Sequence, residues 1–328
     1  MTKRFLLILF LLLSLSFVCS QTYKSSSPLV HTYSIVARDS VTGEMGVAVQ
    51  SHWFSVGTLV SWGEAGVGVV ATQSFINASF GPRGLALLKQ GLTPAQVVKY
   101  LIESDPGRDV RQLAVLDTKG RTAVYTGKNC IPAAGDYHEK NFSVQANLMV
   151  NNKVWPAMAH AFKTTKAPLA ERMIAALEAA QNAGGDIRGK QSAAILVVKG
   201  KSTGKVWADR LIDLRVEDSE HPVKELKRLL KVHRAYEHMN NGDLAVENGK
   251  MSLAMKEYST AENMFPQNEE MKFWHAVTLA NTGKVNESLP LFKKVFEKNN
   301  NWKILLPRLP KVGLLKVNKE NLRKILNQ

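Results

Sequence analysis

The reading of this chain turns on His31-Thr32-Tyr33-Ser34-Ile35-Val36-Ala37-Arg38-Asp39, with Gly46-Val47-Ala48-Val49 and Gly66-Val67-Gly68-Val69-Val70-Ala71-Thr72-Gln73 behind it. Three short runs rich in Val and Ala, separated by polar or glycine-containing turns, read as buried strands. A small hydroxyl residue opens the first of them. Such a Thr becomes a nucleophile if the backbone is cut just before it, because the freed α-amine, with a pKa near ~8, serves as general base. Thr32 is therefore the first catalytic candidate. Ser34 shares its strand face by the period of two and is the alternative nucleophile. The plain alternative is that Thr32 is only a β-branched residue starting a strand.

Outward from this stretch, helical periodicity runs from Gly81 to Tyr100, with Thr93-Pro94 as a helix-start signal. Gln112–Asp117 and Thr122–Thr126 read as a hairpin around Thr118–Arg121, and Phe142–Leu148 as a further strand. Trp155–Phe162 and Ala167–Ala183 carry helical spacing, and Ala193–Lys199 and Lys205–Val216 return to strand. Strands, helix, strands, two helices and strands make an α+β layered architecture in which helices cover sheets.

The quoted runs, with Gly43-Glu44, Phe80-Gly81-Pro82-Arg83-Gly84-Leu85 and Asp105-Pro106-Gly107-Arg108, resemble an Ntn-hydrolase-like family known as domain of unknown function 1028. Gln145-Ala146-Asn147-Leu148 and Gly184-Gly185-Asp186-Ile187-Arg188-Gly189-Lys190-Gln191-Ser192-Ala193-Ala194 extend the resemblance to about Gly200. It implies a four-layer α-β-β-α sandwich and catalysis of amide hydrolysis by an N-terminal Thr. In the family the start is typically Met-Thr. Here His31 precedes Thr32, so the mechanism requires cleavage of the His31–Thr32 bond, by the chain itself or by another protease.

Several polar residues are candidates beside Thr32. Gln145 and Asn147 are one alternation apart, so their amides share a face and suit oxyanion or substrate hydrogen bonds; Asn147 is taken as catalytic. Gln73, at the end of a buried strand, presents an amide into a cleft. Arg38 either orients a substrate carboxylate or, with Asp39, forms a solvated turn. Asp186, Arg188, Gln191 and Ser192, in a glycine-rich connection before a buried strand, either approach a ligand, with Gln191 and Ser192 binding substrate, or belong to a structural loop. The histidines show no metal-ligand spacing, and no metal or other cofactor is expected.

Lys3-Arg4 followed by the apolar run Phe5–Val18 and the small residues Cys19-Ser20 reads as a signal peptide over residues 1–20. A membrane anchor and a lipoprotein with Cys19 lipidated are the alternatives. The run is shorter than the ~20 residues that span a bilayer. Residues 21–31 read as a linker or propeptide, 32–217 as the Ntn-like domain and 218–328 as a helical domain. A mature exported chain, periplasmic or secreted, keeps Cys130 alone and has no disulfide within the chain.

Net charge is +15 and is spread evenly through the chain. Without a clustered basic face, nucleic-acid binding is not indicated.

From His221 on, long amphipathic patterns replace strand signals. Gly249 pairs with Gly283, Ala254 with Ser288, Tyr258 with Phe292, Ala261 with Val295 and Pro266 with Asn300, a period of 34 residues. That is the period and pattern of tetratricopeptide repeats. Helices at His221–Glu237 and Trp302–Leu326 are expected to cap the two repeats.

Two functions follow. One is an exported Ntn-type amidohydrolase acting on a small amide or peptide-like molecule. The other is a catalytically silent protein that holds a protein partner on its repeats. Homo-oligomer formation is left open.

Overall fold

The structure, a computed structural model, describes residues 29–328; the expected signal peptide and most of the expected linker lie outside the described residues. The chain divides into two compact units, one ending at Pro222 and the other running from Val223 to Gln328.

The first unit is built on two antiparallel sheets. In one, β1 (Leu29–Val30) and β4 (Ser61–Glu64) lie along the same edge of β5 (Gly68–Phe75), followed by β6 (Arg111–Asp117) and β7 (Thr122–Thr126). In the other the order is β11 (Arg210–Val216), β10 (Ser192–Val198), β3 (Met45–Ser51), β2 (Thr32–Arg38), β9 (Phe142–Ala146), β8 (Gly135–Glu139). The sheets face each other through Val36, Val47, Val49, Ala71, Leu116 and Leu196, all buried. Each of these Val and Leu side chains contributes about 1.5–3 kcal/mol by leaving water.

A short helix, α1 (Gly57–Val60), joins β3 to β4, and longer helices cover the outer faces. Against the first sheet, α2 (Phe80–Lys89) and α3 (Pro94–Glu103) bury Phe80, Leu85, Leu88, Val97 and Leu101 on Val70, Leu113 and Val115. A Cβ at Gly81 would come within 2.2 Å of the Trp62 ring, so only glycine lets α2 lie on that indole. Against the second sheet lie α4 (Val154–Thr164) and α5 (Leu169–Asn182); the Phe162 and Phe142 rings meet at 4.9 Å, tilted by 39°. The order of layers is α-β-β-α, as the resemblance implied.

Boundaries differ from expectation where local chemistry intervenes. Gly81–Tyr100 holds two helices; Gly91 (φ +94°) ends the first, and Thr93 starts the second with a capping box and Pro94 at its first position. Lys205–Val216 is not one strand. Val206–Asp209 forms a short helical turn (α6), because the Asp209 carboxylate gathers the Ser202 and Thr203 hydroxyls and the Thr203 N–H. Strands β4 and β8 escaped the pattern because Ser-Trp-Gly-Glu and Gly-Asp-Tyr-His-Glu are too polar to read as strands. Part of the expected linker is also ordered: Leu29–Val30 pairs with Ser74 and Phe75 of β5.

The second unit is helical. It comprises most of α7 (Pro222–Glu247), then α8 (Met251–Met264), α9 (Glu269–Asn281), α10 (Val285–Lys298), α11 (Asn301–Leu305) and α12 (Lys319–Leu326). The 34-residue period is visible in the backbone: Gly249 and Gly283, at φ +69° and +82°, end the first helix of each tetratricopeptide-like pair. The helix expected to end at Glu237 runs on to Glu247. Gly242 is tolerated inside it because Tyr258 occupies the space its Cβ would take, 2.7 Å away. Trp302–Leu326 is not one capping helix, since Pro307, Pro310 and left-handed Gly313 (φ +74°) break it. Among the described residues no helix is long and apolar enough to cross a membrane.

Candidate functional site

The space between the two sheets changes character along the strands. On β2, Val36 faces the apolar layer, whereas Ser34 and Thr32, two and four residues earlier on the same face, enter a polar one. Gln73 at the end of β5, Gln112 at the start of β6, Ser143 and Gln145 on β9 and Asn147 just beyond it complete this end. All are fully buried.

Buried amides must be hydrogen-bonded or they cost stability, and here they satisfy one another in a chain. Ser143 donates to Gln145 Oε1 (3.0 Å), Gln145 Nε2 donates to Ser34 Oγ (2.6 Å), and Ser34 donates to Gln73 Oε1 (2.6 Å). Gln73 Nε2 and Asn147 Nδ2 both donate to Gln112 Oε1, at 2.6 and 2.8 Å. Gln112 Nε2 donates in turn to Thr126 Oγ1 (2.9 Å) and to the Ala146 carbonyl (3.0 Å). Left-handed backbone follows both ends of the network, at Ser74 (φ +71°) and Leu148 (φ +58°). Non-glycine residues hold that conformation only where their surroundings impose it. Near Ser74, Arg111 donates to the Phe75 carbonyl and is itself held by Asp105 (2.8 Å). Burial opposes ionisation of Asp105, yet Arg111 and the Gly107 N–H keep its carboxyl below the usual range.

Thr32 lies at the crossing between sheets. Val30 belongs to β1 in the first sheet and Thr32 to β2 in the second, so His31 alone bridges them. The Thr32 hydroxyl donates to the Val30 carbonyl (2.7 Å), one peptide unit before the His31–Thr32 bond. The His31 carbonyl, the one that would be cleaved, accepts from Ser51 Oγ (2.5 Å) and Arg188 Nη2 (2.7 Å). Arg188 is fixed by Asp186, whose buried carboxylate also takes the His52 N–H (3.2 Å). A carbonyl held by a hydroxyl and a guanidinium is polarised in the sense that nucleophilic attack requires.

The His31 ring is buried. Its Nδ1 lies 2.7 Å from Asn147 Oδ1, and Phe75 meets it edge-on at 5.3 Å. Because the Asn147 amide nitrogen already donates to Gln112, its Oδ1 faces the imidazole, so Nδ1 carries the proton. Burial pushes the imidazole pKa down, with the nearby Arg188 acting in the same direction against the Asn147 bond. The ring is neutral at neutral pH, and its Nε2 is a buried acceptor with no hydrogen bond.

Placed against the expectations, Thr32, Ser34, Gln73, Gln145 and Asn147 converge on one polar layer. Arg38 does not join them: it closes the opposite end of β2, about 20 Å from Thr32 at ~3.3 Å per residue, and bonds Asn141 (3.4 Å). Asp39 caps the turn after β2 through the Val41 and Thr42 N–H groups. Ser34 lies inside β2, two residues past the candidate cleavage point, with its hydroxyl bonded on both sides by Gln145 Nε2 and Gln73 Oε1. Asn147 spends its N–H groups on Gln112 and, at 3.5 Å, the Thr32 carbonyl. The carbonyl donors are Ser51 and Arg188 instead. Ser192 accepts the Val56 N–H and donates to the Trp53 carbonyl, a loop-holding role, and Gln191 takes part through its backbone, bonded to Ser51 and Ser219.

Sequence reading missed Gln112 and Ser51 because nothing local distinguishes a strand Gln or Ser from its neighbours. Only the register Gln73↔Gln112 and Thr32↔Ser51 brings them in. Cys130, among the described residues the only cysteine, is buried and donates to the Arg111 carbonyl (3.4 Å); burial pushes its thiol pKa up.

The chain is similar to a solved protein of the same family model from Silicibacter pomeroyi, at 30% identity and a TM-score of 0.56, covering 61% of this chain and 85% of that one. Anbu (ancestral beta-subunit) from Yersinia bercovieri is similar at 12% identity and a TM-score of 0.30, over 60% of this chain and 92% of that one. Comparison with curated proteins yields no match. The model of the family of unknown function DUF1028 matches residues 32–226, beginning at the threonine that opens β2 and taking in every strand of the two sheets but β1. The chain belongs to the DUF1028 family.

Proposed function

We propose that this protein is an exported Ntn-type amidohydrolase acting on a small amide or peptide-like substrate, with Thr32 as nucleophile once the His31–Thr32 bond is cut. One observation carries the reading: the carbonyl of the bond preceding Thr32, that of His31, is held by Ser51 and Arg188. In the cut, Thr32 Oγ attacks the His31 carbonyl carbon, the C–N bond breaks and the nitrogen takes the hydroxyl proton. Water then hydrolyses the ester, leaving a carboxylate on His31 and a free α-amine and hydroxyl on Thr32. In turnover the same oxygen attacks a substrate amide, the α-amine accepts its proton and passes it to the leaving nitrogen, and water regenerates the hydroxyl. Ser51 and Arg188 then face the developing oxyanion, and the glutamine network fixes the strand ends that position Thr32.

The N-terminal sequence and intact mass of protein made by an exporting host test this. A start at Thr32, with amide hydrolysis lost in Thr32→Ala, supports the reading. A start upstream of Thr32 in every molecule sinks it and favours the second one, a silent scaffold whose tetratricopeptide-like repeats hold a protein partner.

A further inference from the structure

The chain displays, in the segment ahead of Thr32, a bound copy of what its site would accept. Leu29–Val30 is an extended strand on the edge of β5, paired with Phe75 and Ser74. The edge is prepared for it: Arg111 fixes the Phe75 carbonyl, and β4 occupies only the Gly68–Ala71 part of the same edge. His31 follows with its carbonyl between Ser51 and Arg188 and its ring in a closed pocket between Asn147 and the edge of Phe75. Backbone is thus recognised by strand pairing, and one side chain by a planar slot with a hydrogen-bond acceptor. That is how peptides, rather than small free amides, are read.

The chemistry strengthens the comparison. The ester that Thr32 Oγ forms in cutting its own bond is the same compound as the acyl-enzyme it would form from a peptide amide ending in Val-His. Whatever stabilises the first stabilises the second. From this we infer that the substrate is an extended peptide whose scissile carbonyl belongs to a histidine or a similarly planar, hydrogen-bonding residue, laid antiparallel on the Ser74–Phe75 edge. The inference rests on the proposed cut before Thr32 and adds the substrate class.

In the hydrolysis, the bond between the histidine carbonyl carbon and the following nitrogen breaks. That nitrogen leaves with the proton first taken by the α-amine, and water supplies the oxygen of the new carboxylate. Asn147 is a positioning residue for the acyl side: its Oδ1 accepts from the imidazole and discriminates against carboxylate side chains, which offer no proton.

The test uses full-length protein, matured to begin at Thr32, and acetyl-Leu-Val-Xaa-p-nitroanilides with Xaa His, Leu, Asp or Gly. The expected result is a kcat/KM for His about tenfold or more above Asp and Gly. Asn147→Ala should lower kcat/KM for the His probe well beyond its effect on the Leu probe, erasing most of the preference between them. Acetyl-Leu-Val-His should compete with the His probe as a product. Equal rates across the four probes overturn the inference, as does hydrolysis of acetamide-like molecules with no turnover of any peptide probe; both leave the amidohydrolase reading standing. A chain never cut before Thr32 and inert on every probe removes both.

Discussion

The two ends of the layer between the sheets are made by the same strands and obey different rules. At one end Val36, Val47 and Leu116 interdigitate, and stability rests on apolar area. At the other, β2 contributes Ser34 and Thr32, and β6 contributes Gln112 in place of Ala114. There stability rests on every amide finding a partner, because an orphaned donor costs about 1–3 kcal/mol. The apolar end tolerates loss of volume by degrees. The polar end is satisfied as a set, and Thr32 sits at its margin.

The largest expected effect separates chemistry from packing. Thr32→Ala should abolish both cleavage before residue 32 and amide hydrolysis, a loss of about 10³-fold or more, with thermal stability within about 1 kcal/mol of the parent. Intact mass, probe turnover and a melt on one preparation check all three; a cut chain in Thr32→Ala shows that another protease does the work.

Next comes the network itself. Gln112→Leu leaves Gln73 Nε2, Asn147 Nδ2, Thr126 Oγ1 and the Ala146 carbonyl short of a partner, and should cost about 3 kcal/mol together with nearly all activity. Leu116→Ala at the apolar end should cost about 2–5 kcal/mol yet leave turnover by the folded fraction nearly intact. Urea titration beside kcat tells them apart; equal activity losses would erase the distinction between the ends.

Acid should sharpen a second contrast, between the two units. His31 is held below its ordinary value of 6.5, so between that value and its folded one the unfolded chain binds more protons and stability falls as pH drops. In the helical unit, the His233 ring at 3.6 Å and the Arg234 guanidinium at 2.8 Å hold Glu237 down to about 2 from 4.5. That contribution is whole above pH 4.5 and fades only as pH falls toward 2. Calorimetry of the uncut Thr32→Ala chain from pH 7.5 down should therefore show the sandwich transition moving first. The smallest effect is local: Gly283→Ala, at φ +82° with nothing within 4 Å of its Cβ, should cost about 1 kcal/mol of the helical unit through backbone alone.

What the sequence disclosed follows the same division. Val/Ala runs and the 34-residue spacing are local signals, and they place the sheets and the helix pairs. Thr32, Ser34 and Gln145 are legible because alternation along one strand settles their face. Gln112 and Ser51 are not, since each enters through pairing between strands far apart in the chain; Arg188 stands out in its glycine-rich connection, but its bond to the His31 carbonyl, 157 residues back, does not. Arg38 misled for the complementary reason: six residues along β2 are close in sequence but span the sheet.

Cys130 gives this fold a built-in clock. Its thiol is buried, bonded to the Arg111 carbonyl and disfavoured as thiolate, so a thiol reagent reaches it only when the region around β6 opens. Labelling rates then read the frequency of that opening, next to Gln112 of the buried amide network. Departure of the Leu29–Val30 strand from β5 should quicken them, making a single sulfur a reporter of whether the site is sealed or vacant.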